Sequence, residues 1–337
     1  MLRFSFFAAA MLGLAAGEVH DVKPDQFHHT FFHKHPVLKT IKSGDTVITI
    51  TLDAGGQDDK DVRRAAPSNP LTGPFFVEGA EPGDALVVRF QRIRMNRNWG
   101  WSNYRLGLFA LSQESIEGLY PRRYKDDLIR PGRSDLIPWD IDTRNQTVRI
   151  REPQSKHLAM QFPARPMLGC VGVAAPGDFA PTSGISGTYG GNMDYNELVE
   201  GVTVSLPVYH PGGLLFVGDG HALQADGEPT GTGVETSMDV MFTVTVRKKA
   251  NLPGPRLEND EYLIAIASQP EFVSSLDRTV RVATSDMIHW LTTEFQVEPW
   301  AAHQLIGYQG RYDIITIGGS IGLRIPKKAL ATRAASQ

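Results

Sequence analysis

Gly218–Glu235 reads GDGHALQADGEPTGTGVE. Apolar runs flank it, Leu214–Val217 before and Asp239–Val246 after. Those runs predict strands, and the stretch between them predicts a Gly-rich loop system holding Asp219, His221, Asp226, Glu228 and Glu235. Loops carried by rigid strands are where binding and catalytic groups are usually built. Asp, His and Glu close together are the donor set of a hard or borderline divalent cation. Gly and Asp are also ordinary turn formers, so solvated turns account for the same letters.

Working outward, the flanking chain reads as strand after strand. Thr46–Leu52 alternates Val47, Thr49 and Thr51 against Ile48, Ile50 and Leu52, behind the turn Lys42–Asp45. Ala85–Ile93 repeats the pattern behind the turn Glu81–Asp84. Two copies of Gly-Asp followed by an alternating strand predict antiparallel strands stacked in a sandwich or barrel. Met167–Ala175 is continuously apolar and predicts a buried strand; Val202–Val208 predicts another. Asn69–Pro74 is expected to be a loop. The 33 Gly and 22 Pro fit a β-rich fold with many turns. Near the C-terminus the period changes to helical. Ser274–Asp277 resembles a helix start, with Val280, Ala283, Met287 and Leu291 at helical spacing, and Pro299 opens a second helix. His289 and His303 on these helices read as structural.

Composition narrows the function classes. A chain of 337 residues with 41% hydrophobic and 21% charged residues can bury a sizeable core. A net charge of −3 with no clustered basic face argues against nucleic acid as partner. Arg3 followed by apolar Phe4–Ala16 and the small residues Ala15–Gly17 predicts an export signal over 1–17. The run is too short for a comfortable membrane span, so no membrane association is expected after processing. A cytoplasmic chain with a frayed apolar leader is the alternative. The single cysteine, Cys170, precludes an intrachain disulfide and sits in an apolar run, which suits a small buried residue better than a nucleophile.

Four further places offer chemistry. Asp53 ends a strand and precedes Gly55-Gly56, a position for a ligand, a base or a plain turn. Glu78 lies between an apolar strand and Gly79, as a catalytic carboxylate or a turn cap. Gly190-Gly191 permits close backbone approach, with Asn192 and Asp194 beside it to face a site. His29, His33 and His35 fall on one face of an extended segment, as imidazole ligands or as a His-rich exposed strand. Asn96–Gln154, with Trp99, Trp101 and Trp139, reads as a second, mostly β portion with long loops.

Several ordered motifs match the acetamidase/formamidase family. They are SGDTV, LDAGGQ, NPLTGPFFVEGAEPGDAL, PARPMLGCVGVAAPGD, GGNMDYNELVEG and GDGHALQADGEPTGTGVE, running in order from Ser43 to Glu235. The chain resembles that family over most of its length. The resemblance implies a mainly β fold, a jelly-roll-like β-sandwich plus a second β portion, with an α/β C-terminal part. Laid on the sequence, 18–95 and 160–250 form the core carrying the site, 96–159 an irregular β-rich insertion, and 251–337 the C-terminal part. It further implies hydrolysis of small linear amides to acid and ammonia, a divalent cation (zinc or calcium) in the cleft, and a homo-oligomer. On the matching positions Asp53, Asp219 and His221 are implied as metal ligands, with Asp194, Glu78 and Glu235 as supporting carboxylates. The mechanism expected is attack by a metal-activated water, with Glu235, or else Glu78, as base and the backbone of Gly190-Gly191-Asn192 at the oxyanion. The alternative is an exported, non-catalytic β-sandwich with a structural cation. The family's usual GDGE reads Ala225-Asp226-Gly227-Glu228 here, which matters if position 225 needs a positive φ.

Overall fold

The structure is a computed structural model describing residues 17–103, 110–112, 114–115, 136–152, 154–268 and 275–330. The expected leader, except Gly17, and the middle of the 96–159 insertion lie outside the described residues. Among the described residues the strands form three sheets. In the largest, nine strands run in the order Val19–Asp21, Thr46–Thr51, Met238–Arg247, Ala85–Met95, Thr203–Pro207, Arg256–Glu258, Tyr262–Ala267, Ser320–Pro326 and Arg311–Thr316. The two alternating strands read from the sequence both pair antiparallel to Met238–Arg247, one on each side of it. The second sheet orders six strands as Ser186–Gly187, Gly190–Asn192, Met167–Gly172, Leu215–His221, Leu71–Val77 and Lys39–Ile41.

These two sheets pack face to face as a sandwich. Val47, Val88, Phe90, Val240 and Phe242 of the first sheet share one core with Phe75, Leu168, Val171 and Val217 of the second. Phe75 and Phe242 meet edge-on across the gap, ring centroids 5.4 Å apart. A third sheet of four strands, Trp99–Asn103, Leu136–Asp142, Thr147–Ile150 and Gln161–Pro163, forms the second β portion.

The C-terminal part continues the nine-stranded sheet rather than standing apart from it. Helix α1, Leu276–Glu294, and helix α2, Pro299–Gln309, cover the outer face of its last strands. Ser275 caps α1 by accepting the Arg278 amide, and Ala283, Met287, Trp290 and Leu291 bury against Leu263, Ala265 and Leu323. His289 and His303 are exposed. No described helix is long and apolar enough to cross a membrane.

Two local expectations change. Leu71–Val77 is a strand where a loop is expected over Asn69–Pro74. The register slips between the Leu215–Phe75 and Val217–Thr72 pairs, so Gly73 and Pro74 sit in a bulge, where a sheet accommodates proline. Asp219 and His221 lie on the Leu215–His221 strand, not in the loop after it. Glycines at 218 and 220 let the pairing with Met167–Gly172 run on past the apolar stretch.

Candidate functional site

The site grows from the end of the Leu215–His221 strand. Met167 pairs with His221, Leu168 with Gly220 and Cys170 with Gly218, so Gly169 faces Asp219 across the ladder. Asp219 has φ 57°, in the left-handed region that costs most residues energy and that Asp tolerates best. Gly169 makes the approach possible. A Cβ there would lie 2.5 Å from Asp219 Oδ2 and 2.4 Å from Asp194 Oδ1. The Gly169 carbonyl accepts the amides of Met193 and Asp194, which brings Asp194, also left-handed at φ 48°, to the same point.

Asp194, Asp219 and His221 each present one ligand atom, all within 4.8 Å of one another. Each is held from behind. Asn69 Nδ2 donates to Asp219 Oδ2 at 2.9 Å and to Asn192 Oδ1 at 3.0 Å. Asn192 Nδ2 donates to Asp194 Oδ2. His221 Nδ1 lies 2.7 Å from Gln224 Oε1. Asp194 Oδ1, Asp219 Oδ1, His221 Nε2 and Glu235 Oε2 are left buried without hydrogen-bond partners. Orphaned buried polar atoms are costly and rare. Glu235 is 2% exposed; its Oε1 accepts the Gly233 amide and lies 3.1 Å from His221 Nε2, outside hydrogen-bonding geometry.

Electrostatics say what the pocket lacks. Burial, reinforced by the Asp219 carboxylate, pushes the Asp194 carboxyl up to about 8. Burial likewise lifts Glu235 to about 7, although His221 opposes the rise. Burial works against charge on His221, yet Glu235 and Asp219 outweigh it and raise the imidazole well above its ordinary value. Glu228, half-buried on the same cavity with φ 46°, is raised by burial and by Asp194. A cavity of about 340 Å³ thus gathers four carboxylates around one imidazole. Oxygen and imidazole donors with unused lone pairs and excess negative charge fit a divalent cation.

The other expected site residues fall elsewhere. Asp53 is fully buried but spent: Oδ2 accepts Arg97 Nη2 at 2.6 Å and Trp101 Nε1 at 3.0 Å, and Oδ1 accepts the Gln57 amide. Arg97, stacked 3.6 Å over the Trp99 ring, also donates to Thr236 Oγ1, so this ion pair braces the segment that carries Glu235 just before the Met238–Arg247 strand. Asp194 takes the place expected for Asp53. Glu78 is exposed on the turn after Leu71–Val77 and does not line the cavity. Gly190 and Gly191 lie inside the second sheet, paired with Gly172 and Val171, and the Asn192 amide donates to the Ile185 carbonyl. Those backbone groups are committed to the sheet, and Asn192 reaches the site through its side chain instead. Asp226 is exposed and accepts Asn196 Nδ2. Cys170 donates its thiol to Asn192 Oδ1 and the Ser183 carbonyl, and burial raises it well above its ordinary value, which suits an inert thiol.

Ala225 is not among the positive-φ residues; Gly227 and Glu228 are, so the change at position 225 strains nothing. The histidines at 28–35 separate: His28 stacks on His35 and His33 on His210. Asn69, Gly169 and Gln224 escaped sequence reading. Gly169 alone gave a signal, since a glycine inside an apolar strand marks a close approach.

Comparison with known proteins gives a consistent picture. A family model described as the Acetamidase/Formamidase family matches residues 18–124 and 180–292. A formamidase of Methylophilus methylotrophus is 28% identical over 257 residues, covering 62% of this chain and 60% of that protein. The chain spans between about half and just under two thirds of the length of the curated relatives it matches. Among solved structures, an acetamidase from Yersinia enterocolitica superposes with TM-score 0.76 at 26% identity, covering 96% of both chains. An acetamidase from Bacillus halodurans gives TM-score 0.74 at 27% identity, covering 93% of this chain and all of that one.

Proposed function

The chain belongs to the acetamidase/formamidase family, and from that premise we propose that it hydrolyses the C–N bond of small linear amides of the formamide and acetamide type, releasing a carboxylic acid and ammonia. The observation that carries this reading is one cavity onto which four buried, unpartnered atoms open, on Asp194, Asp219, His221 and Glu235. Asp194, Asp219 and His221 would hold a divalent cation, zinc or calcium, the imidazole favouring zinc. Bound there, a divalent cation supplies Lewis-acid polarisation of the amide oxygen and a more acidic water.

The chain's own groups handle the proton. Glu235 Oε2 is the free oxygen beside the triad and takes a proton from the attacking water. As the C–N bond breaks, the same carboxyl returns that proton to the departing nitrogen. Asn69 and Asn192 hold the far oxygens of Asp219 and Asp194, so that the near oxygens keep their aim. Glycines at 184, 231 and 318 line the walls of a cavity of about 340 Å³, which suits a small acyl group.

Three protein donors leave positions open for water and substrate, which favours catalysis over a closed structural cation in a binding protein. The formamidase and acetamidase names of the relatives support the same reading. Assembly as a homo-oligomer is part of the proposal and rests on the family resemblance. Export rests on the apolar leader. Sedimentation of the purified chain and N-terminal sequencing of its secreted form test them. The reaction itself is tested by ammonia release from formamide, acetamide and propionamide. Release that falls with acyl size is expected, and no release from any of them contradicts the proposal.

A further inference from the structure

Gln224 offers one amide, and both ends of it are committed. Nε2 donates to the Asp194 backbone carbonyl at 2.6 Å, and Oε1 lies 2.7 Å from His221 Nδ1. The residue is 8% exposed. The Asp194 carbonyl can only accept, so the amide nitrogen must face it and the amide oxygen must face His221. An oxygen in that place accepts, so Nδ1 carries the hydrogen and, in the neutral ring, Nε2 carries the lone pair.

That choice is contested locally. Nε2 lies 3.1 Å from Glu235 Oε1 and 3.6 Å from Asp219 Oδ1. Two carboxylate oxygens on that side draw a proton onto Nε2, where it would block the lone pair. Gln224 acts from the other side of the ring. The two residues before it are tied to the chain leading into Glu235: the Ala222 amide donates to the Val234 carbonyl, and the Val234 amide to the Leu223 carbonyl. A shorter Asn could not span both partners, and a Glu would set an acceptor against the Asp194 carbonyl.

We propose that Gln224 is a positioning residue of the cation site, holding His221 in its Nδ1–H form while tying it to the backbone of a second ligand, Asp194. The inference rests on the reading that Asp194, Asp219 and His221 hold a divalent cation. Partners of this kind behind a ligating histidine typically change metal affinity by about 10- to 100-fold when removed.

The test measures zinc and calcium affinity of the purified full chain by chelator competition, for wild type, Gln224→Met and Gln224→Glu. Melting of each protein in excess chelator is recorded alongside. Gln224→Met removes both hydrogen bonds at similar volume and should weaken binding about 10- to 100-fold. Gln224→Glu keeps the acceptor for His221 and should lose less. The chelated melting temperature of Gln224→Met should fall as well, because two buried polar groups lose their partner; a purely structural role would lower it and leave affinity alone. Binding by Gln224→Met within about twofold of wild type, against the loss such partners usually carry, overturns the inference. So does a fall in chelated stability with affinity unchanged. A wild-type chain that binds neither ion overturns the cation reading itself, before any variant is compared.

Discussion

Gly169→Ala adds a single carbon at the point where the two ligand-bearing segments touch. The new Cβ would stand 2.4 Å from Asp194 Oδ1 and 2.5 Å from Asp219 Oδ2, about 1 Å inside ordinary contact. The Gly169 backbone is not in the left-handed region, so it accepts alanine and the whole effect comes from that contact. Neither carboxylate can retreat freely, because Asn192 holds the other oxygen of Asp194 and Asn69 holds the struck oxygen of Asp219 itself. Overpacking of this kind costs roughly 1–3 kcal/mol of stability. A displacement of about 1 Å in reacting groups costs on the order of 100-fold in rate. At 25 °C that corresponds to about 2.7 kcal/mol of transition-state stabilisation. The assay is ammonia release at saturating cation, with cation affinity measured in parallel. Gly254→Ala serves as control, since its Cβ meets nothing closer than 3.5 Å. Gly169→Ala with wild-type turnover and affinity would refute the claim that Asp194 and Asp219 meet at this point to do the chemistry.

Glu235→Gln should lower ammonia release by about 10²- to 10⁴-fold, the usual worth of a general base, while cation binding measured by competition persists. Asp53→Asn should keep the cation stoichiometry, because the carboxylate it replaces serves Arg97 and Trp101. Asp53→Ala should lower stability by about 3–5 kcal/mol in denaturant titration, by stranding a buried guanidinium. In excess chelator the protein should melt lower as pH rises from about 4 towards about 8. The folded carboxyls of Asp194 and Glu235 are raised above their unfolded values, so the folded state binds more protons in that window and stability falls with pH. Saturating cation should flatten that slope, which differential scanning across pH reads directly.

Much of the sandwich was legible because its signal is local. The alternation of Thr46–Thr51 and Ala85–Met95 follows directly from one buried and one half-exposed face. The helical spacing behind Ser275 was as plain. The Leu71–Val77 strand was hidden by Gly73-Pro74, whose turn-like chemistry here serves a bulge. The site was legible as a set of residue types and only partly as a set of roles. Asp53 and Asp194 are both acidic residues two or three positions from a Gly-Gly pair. What separates them is Arg97, 44 residues from Asp53 in sequence and 2.6 Å from it in space. Glu78 reads like Glu235 in its neighbours, yet one is exposed and the other buried. Asn69 and Gln224 are ordinary loop polar residues until the fold brings each to two partners.

The central claim is that a divalent cation at Asp194, Asp219 and His221 serves amide hydrolysis by this chain. The most direct measurement is ammonia release from formamide and acetamide by the full chain as purified, after exhaustive chelation, and after stoichiometric zinc or calcium is returned. The account predicts activity that chelation abolishes and one of the two ions restores, with Asp219→Asn failing to recover. Turnover that survives complete removal of metal, confirmed by elemental analysis of the same sample, would contradict it.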